Sequence, residues 1–194
     1  MNKRFLRDSK LGLSKHLVSF RTASERKDDD VTGASDDAPM YAFDIEPECN
    51  KDCVDFDAVQ KEIASSCRIA PPCSVDALTS NGSLFFAIEF KTGGIELVNI
   101  HRKIYDTILT FIAHDGKSLA FARERFVYVL VLSRLSKEIK QMAHYLLGMK
   151  RPWEKIRHQK DILSLFPLKN YLVNDVIAMP PEFFRLFLHE NKLL

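Results

Sequence analysis

A chain of 194 residues with 46% apolar and 28% charged residues has room for one packed domain with appendages, and its 7 Gly and 8 Pro exclude collagen-like or low-complexity architectures. No uncharged apolar stretch approaches the roughly 18 to 20 residues that cross a bilayer, and the first residues lack the apolar core of a secretory signal, so an intracellular, cytoplasmic protein is expected. The net charge of +2 hides a segregation: residues 1–27 carry +6, residues 28–57 carry −10, and the remaining body carries +6. A mildly basic body is compatible with a polyanionic partner without demanding one.

Residues 1–45 read as a flexible charged tail, because basic and Ser-containing sequence followed by Asp28–Asp30 cannot bury enough apolar area to offset its ordering entropy. Phe5, Leu6, Leu13, Leu17 and Phe20 allow a short amphipathic helix in it. A transit peptide, or an arm touching nucleic acid or anionic lipid, is the alternative use of so basic a start. Residues 46–194 read as a single α/β domain.

Within it, Phe56, Val59, Ile63 and Ala64 predict a helix over Asp55–Ser66, and Pro71-Pro72 predicts a loop after it. Ser74–Leu78 and Leu84–Lys91 flank Ser80-Asn81-Gly82-Ser83, which predicts a hairpin with a type I′ turn. Thr92-Gly93-Gly94 breaks the second strand. Leu97, Ile100, Ile104, Ile108, Phe111 and Ile112 then mark one face of a long helix, and Phe126–Leu132 has the length and composition of a strand buried on both faces. Strand, helix and strand imply a parallel crossover. Ser136–Leu147 predicts a further helix capped by Gly148, and the remainder is expected to be helical or irregular with a Phe-rich end. The fold class is therefore α/β, a central mixed sheet of hairpin plus crossover strand flanked by helices.

A two-residue turn would set Asp76 opposite Ala87, and strand alternation then projects Asp76, Ala87, Glu89 and Lys91 from one side, with Leu84, Phe86, Ile88 and Phe90 forming an apolar surface on the other. Two carboxylates converging beneath a crossover helix repel each other unless a cation sits between them, and a divalent metal with oxygen ligands answers that need. The bland reading is a solvated hairpin face carrying a charge cluster.

This arrangement, Asp76, twelve residues, then Glu89-Phe90-Lys91 on a hairpin followed by a helix, resembles the PD-(D/E)XK nuclease-like superfamily over about residues 55–135. The resemblance implies a restriction-endonuclease-like fold and a nuclease cutting phosphodiester bonds, in DNA rather than RNA. It implies Mg2+ or Mn2+ held by Asp76, Glu89 and the Phe90 carbonyl, with Lys91 acting on the attacking water. It further implies Glu62 as an acid on the first helix. His101 and Tyr105 stand where a RecB-like branch carries Gln-x-x-x-Tyr. Val75 replaces the usual Pro, and thirteen residues between Glu62 and Asp76 leave the strand that the family places there short, displaced or missing.

Two other features offer chemistry. Cys49, Cys53, Cys67 and Cys73 form C-x3-C-x13-C-x5-C, which lacks the tight knuckle spacing of zinc sites and reads as ordinary thiols. The stretch 150–160 carries Lys150, Arg151, Lys155, Arg157 and Lys160 around the single Trp153, a pattern that contacts phosphates and stacks on a base, or else a solvated loop with its Trp anchored in the core. No metal-binding His spacing, nucleophile elbow or P-loop is present. The rival to an enzyme is a catalytically inactive module binding protein or nucleic acid, with Phe183, Phe184 and Phe187 as the end through which it would form a homodimer or bind another protein.

Overall fold

The computed structural model describes residues 10–24, 52–91, 97–132, 151–156 and 166–193. Among these residues, six strands form one mixed sheet in sequential order: β1 (Leu17–Ser19), β2 (Asp52–Asp55), β3 (Ala77–Ser80), β4 (Phe85–Lys91), β5 (Phe126–Leu132) and β6 (Asp175–Met179). The first four run antiparallel to their neighbours, whereas β4, β5 and β6 are parallel. Among the described residues the helices are α1 (Phe20–Ser24), α2 (Phe56–Cys67), α3 (Leu97–Asp115), α4 (Leu119–Arg125), α5 (Trp153–Ile156) and α6 (Pro181–Glu190).

Local chemistry explains where these elements begin. Asp55 caps α2 by accepting from the Ala58 amide at 3.0 Å, and Arg68, in the left-handed region at φ 57°, closes the helix. Ser118 caps α4 in the same manner, accepting from Phe121 N at 3.1 Å, and Pro181 opens α6 where its missing N–H costs nothing.

Alternation along β4 divides the core into two layers. Phe86 and Phe90 meet Phe187 and Phe184 of α6 edge-on at 5.6 and 5.4 Å, and Phe20 joins them through Phe184. On the opposite face Phe85 packs on Phe126 of β5, Phe111 of α3 and Phe121 of α4, while Phe56 of α2 stacks on Phe111 at 5.5 Å. The sheet is thus covered by helices on both sides, and every residue of β5 is buried. Among the described residues, no helix is long and apolar enough to cross a membrane.

Several expectations need correction. Residues 10–24, expected in the tail, belong to the domain: Leu13 and Phe20 are fully buried, and β1 pairs with β2. Residues 175–179, expected to be helical or irregular, form the second parallel strand of the sheet. Between Glu62 and Asp76 the chain forms no strand after α2 ends; the strand beside β3 is β2, which precedes the helix.

The hairpin register also differs, by two residues. Ser80 pairs with Phe85 and Ala77 with Ile88, enclosing a four-residue loop over 81–84. A type I′ turn needs positive φ at both central residues, but only Gly82 has it, at 95°. Asn81 instead accepts from Ser83 N at 3.0 Å and Leu84 N at 2.9 Å, an Asx turn that widens the loop. An even shift preserves the faces, so the predicted charged side survives with Asp76 brought across from Glu89 rather than Ala87. The Thr92-Gly93-Gly94 break, the Ser136–Leu147 helix with Gly148 and the beginning of the tail lie outside the described residues.

Candidate functional site

Asp76 immediately precedes β3 and is held there from two directions. Side chains of α3 fix the incoming backbone: Asp106 Oδ2 accepts from Cys73 N at 3.0 Å and Thr107 Oγ1 from Val75 N at 3.3 Å. From β4, Phe90 N donates to Asp76 Oδ2 at 2.7 Å. Glu89 is fully buried on the same face, and Lys91, two residues on, sets its ammonium 3.6 Å from Glu89 Oε1 with 29% of the side chain exposed. The three residues expected to gather on one sheet face are gathered there.

The cation expected between the carboxylates is supplied in part by the chain itself. Lys103 reaches down from α3 and donates to both Glu89 oxygens, at 2.7 and 3.0 Å, and stands 3.5 Å from Asp76 Oδ1. Sequence reasoning assigned it no role. Its signal is the row Lys103, Thr107 and Thr110, at i, i+4 and i+7, which borders the apolar face of α3 and turns it toward the segment before β3 and toward Gln60 of α2.

Burial and electrostatics make the cluster tense. Burial, then the neighbouring Asp76 charge, pushes the Glu89 carboxyl up to about 8 against the opposing pull of Lys103 and Lys91. Asp76 is likewise raised by burial, opposed by Lys103 and the Phe90 amide. Burial alone would lower the Lys103 ammonium, but the charges of Asp76 and Glu89 and the Glu89 hydrogen bonds outweigh it and hold it above its ordinary value.

Tyr128 was also missed. Paired in register with Ala87, it shares the Glu89 face, is fully buried, and has a hydroxyl with no hydrogen-bond partner. Burial and the charges of Glu89 and Asp76 raise its pKa well above the ordinary tyrosine value. It is the one residue of Phe126–Leu132 whose side chain carries a polar atom, which was the available signal. Because the hydroxyl is already unsatisfied, Tyr128→Phe is expected to leave urea stability unchanged or raise it by about 1 kcal/mol; a loss of more than about 1 kcal/mol would show that the hydroxyl is bonded in the folded chain.

Three expected members stand elsewhere. Glu62 lies five residues, about 140° of helix rotation, from Asp57; its half-exposed carboxylate meets His16 Nε2 at 2.6 Å and Lys15 Nζ at 3.5 Å. Those contacts, the His16 hydrogen bond foremost, hold it below its ordinary value. The α2 acid facing the cluster is Asp57, whose charge acts on Asp76 and Lys103 and which accepts a hydrogen bond from Ser74 Oγ. His101 and Tyr105 lie two residues on either side of Lys103, about 200° of rotation each way, and therefore leave α3 on the other flank. Tyr105 is 37% exposed, and His101 Nε2 is buried without a partner.

The basic stretch is only partly described. Trp153 is buried, edge-on to Phe187 at 5.4 Å, so it anchors α5 to the core and is not free to stack on a base. Arg151 pairs with Glu154 and Glu190. Lys150, Arg157, Lys160 and the Lys155 side chain lie outside what is described. Phe183, Phe184 and Phe187 are core residues, which removes the apolar surface expected to bind a partner or a second copy. Cys53 is buried, Cys67 exposed and Cys73 between them; Cys49 is outside the described residues.

Two carboxylates, Glu89 buried and Asp76 19% exposed, with the unpartnered Tyr128 hydroxyl on the same face, suit a hard cation such as Mg2+ or Mn2+, which is commonly bound through one or two carboxylates and completes its shell with water. Among the described residues there is no group of three or more His, Cys, Asp or Glu side chains placed to hold a metal. No family model, curated protein or solved structure matches the chain.

Proposed function

We propose that this chain is a divalent-metal-dependent nuclease, hydrolysing phosphodiester bonds in DNA in preference to RNA, with a restriction-endonuclease-like version of the α/β fold. The observation that carries the reading is the convergence of the Asp76 and Glu89 carboxylates across the β3–β4 hairpin beside Lys91. The hairpin, the helix after it and the parallel strand β5 also follow the order that the PD-(D/E)XK resemblance implies.

Asp76 and Glu89, with the Phe90 carbonyl, would hold Mg2+ or Mn2+, which when bound supplies charge to polarise a phosphodiester and acidify water. Lys91 has a separate task. Its ammonium is at the edge of the cluster and accessible to solvent, where it can orient a water and stabilise negative charge developing on a phosphate. Glu89, buried beneath it, keeps that ammonium in place.

Calorimetric titration with Mn2+ and a cleavage panel of single- and double-stranded DNA and RNA test the reading. Glu89→Ala should abolish both the Mn2+ heat and cleavage. Lys91→Ala should keep the Mn2+ heat and slow cleavage by about 100-fold or more, as loss of a charge-stabilising donor does. Cleavage that survives both substitutions overturns the assignment.

One observation favours a second reading, a nuclease-like module that binds nucleic acid or protein without catalysis: Lys103 and Lys91 together already offset the charge of the two carboxylates. That reading expects no Mn2+ heat and no cleavage.

A further inference from the structure

Lys103 takes the place that a bridging cation needs. Its Nζ lies 2.7 and 3.0 Å from the two Glu89 oxygens and 3.5 Å from Asp76 Oδ1, so it spans both carboxylates. A divalent ion on the same oxygens requires about 2.1 Å to each ligand and cannot share that volume with an ammonium. Lys103 has a way out, because 22% of its side chain is exposed and its head sits on a flexible four-carbon stem. The fully buried Tyr128 presents an unpartnered hydroxyl on the same sheet face, a polar atom that Lys103 does not satisfy.

We propose that Lys103 is a resident counter-ion which divalent metal displaces, so that loading the site and expelling this ammonium are one exchange. The inference rests on the metal reading given above. Lys103 is a positioning residue in this scheme: with no metal bound it keeps Asp76 and Glu89 together, and it sets the metal concentration at which they become available. A ligand whose site is free only part of the time binds more weakly by that fraction. Removing the competing ammonium removes this handicap.

The test uses the full chain and Mn2+ alone. Calorimetry should show Lys103→Met binding Mn2+ at least about tenfold more tightly than the wild type, as expected if the seat is free a tenth of the time or less. In the wild-type protein, acetic anhydride labelling read by mass spectrometry should modify Lys103 severalfold faster once Mn2+ is saturating, while the exposed Lys61 and Lys192 serve as unchanged references. If the wild type binds Mn2+ but Lys103 labelling does not rise, the exchange is overturned and the metal site stands. Equal or weaker Mn2+ binding by folded Lys103→Met overturns it as well. Absence of Mn2+ heat in both proteins overturns the metal reading itself and the exchange with it. Where Lys103→Met does not fold, the labelling of the wild type decides alone.

Discussion

Raising the pH from 4.5 to about 8 should progressively destabilise the folded chain through Glu89, and replacing Lys103 should make that loss steeper. The folded carboxyl titrates at about 8, above its ordinary 4.5, so in this interval the native protein binds more protons than the unfolded one. Stability from this group is therefore complete below 4.5 and is lost as the pH rises through 8. Asp76, also raised, acts in the same direction. Lys103, held above its ordinary 10.5, contributes stability that persists throughout and is lost only at higher pH. Glu62, which is depressed, works in the opposite sense but below 4.5, outside the window. The expected loss is on the order of a few kcal/mol. Glu89→Gln, compared with the wild type in urea unfolding at several pH values, isolates it: the difference should shrink toward acid and grow in favour of Gln toward pH 8. In Lys103→Met the two carboxylates lose their main counter-charge, so the variant should be less stable by about 3 to 5 kcal/mol at the alkaline end and by much less at the acid end, where protons neutralise the pair. A wild-type minus Glu89→Gln difference that is constant with pH would show that Glu89 is not buried as an acid.

How much of this was readable beforehand depends on whether a feature is local. The helix over Asp55–Ser66 emerged as Phe56–Cys67 because its apolar spacing and its Asp cap lie within one segment. The run of β-branched and aromatic residues Phe126–Leu132 formed a buried strand for the same reason. Strands β1 and β2, of 3 and 4 residues, are too short for alternation to register, and Leu17 and Phe20 fit a helical period equally well. The same ambiguity hid β6, five residues closed by Pro180.

In the site, the common face of Asp76, Glu89 and Lys91 was legible because side-chain alternation survives an even error in register. Which flank of a helix reaches down to a sheet is a tertiary fact. Periodicity showed that α3 has an apolar stripe, but not that Lys103 rather than His101 and Tyr105 would face the carboxylates; the bonds from Cys73 and Val75 to Asp106 and Thr107 decide that rotation. Trp153 failed as a nucleic-acid contact for a related reason: its partner Phe187 lies far along the chain and is invisible from the basic residues around it.

Phe111→Ala should be the most damaging apolar truncation on the face that carries the charges. Phe111 is fully buried and joins three elements at once, stacking on Phe56 at 5.5 Å, meeting Phe126 at 4.9 Å and lying 6.4 Å from Phe85. Deleting a buried ring removes its transfer free energy and leaves a void that neighbours on a sheet and two helices can only partly fill, so urea unfolding should show a loss of about 3 to 5 kcal/mol. Leu109→Ala, two residues earlier and 56% exposed, is the matched control and should change stability by less than about 0.5 kcal/mol. The same ring fixes the distance of α3 from the sheet, and Lys103 lies eight residues before it on that helix. A Phe111 variant that remains folded in the cold should therefore show faster acetylation of Lys103, because a helix released from its aromatic anchor no longer holds the ammonium against Glu89. Stability losses equal to those of Leu109→Ala would mean that α3 is held mainly by its polar flank, through Asp106, Thr107 and Thr110, and the aromatic cluster would lose its place as the support of the site.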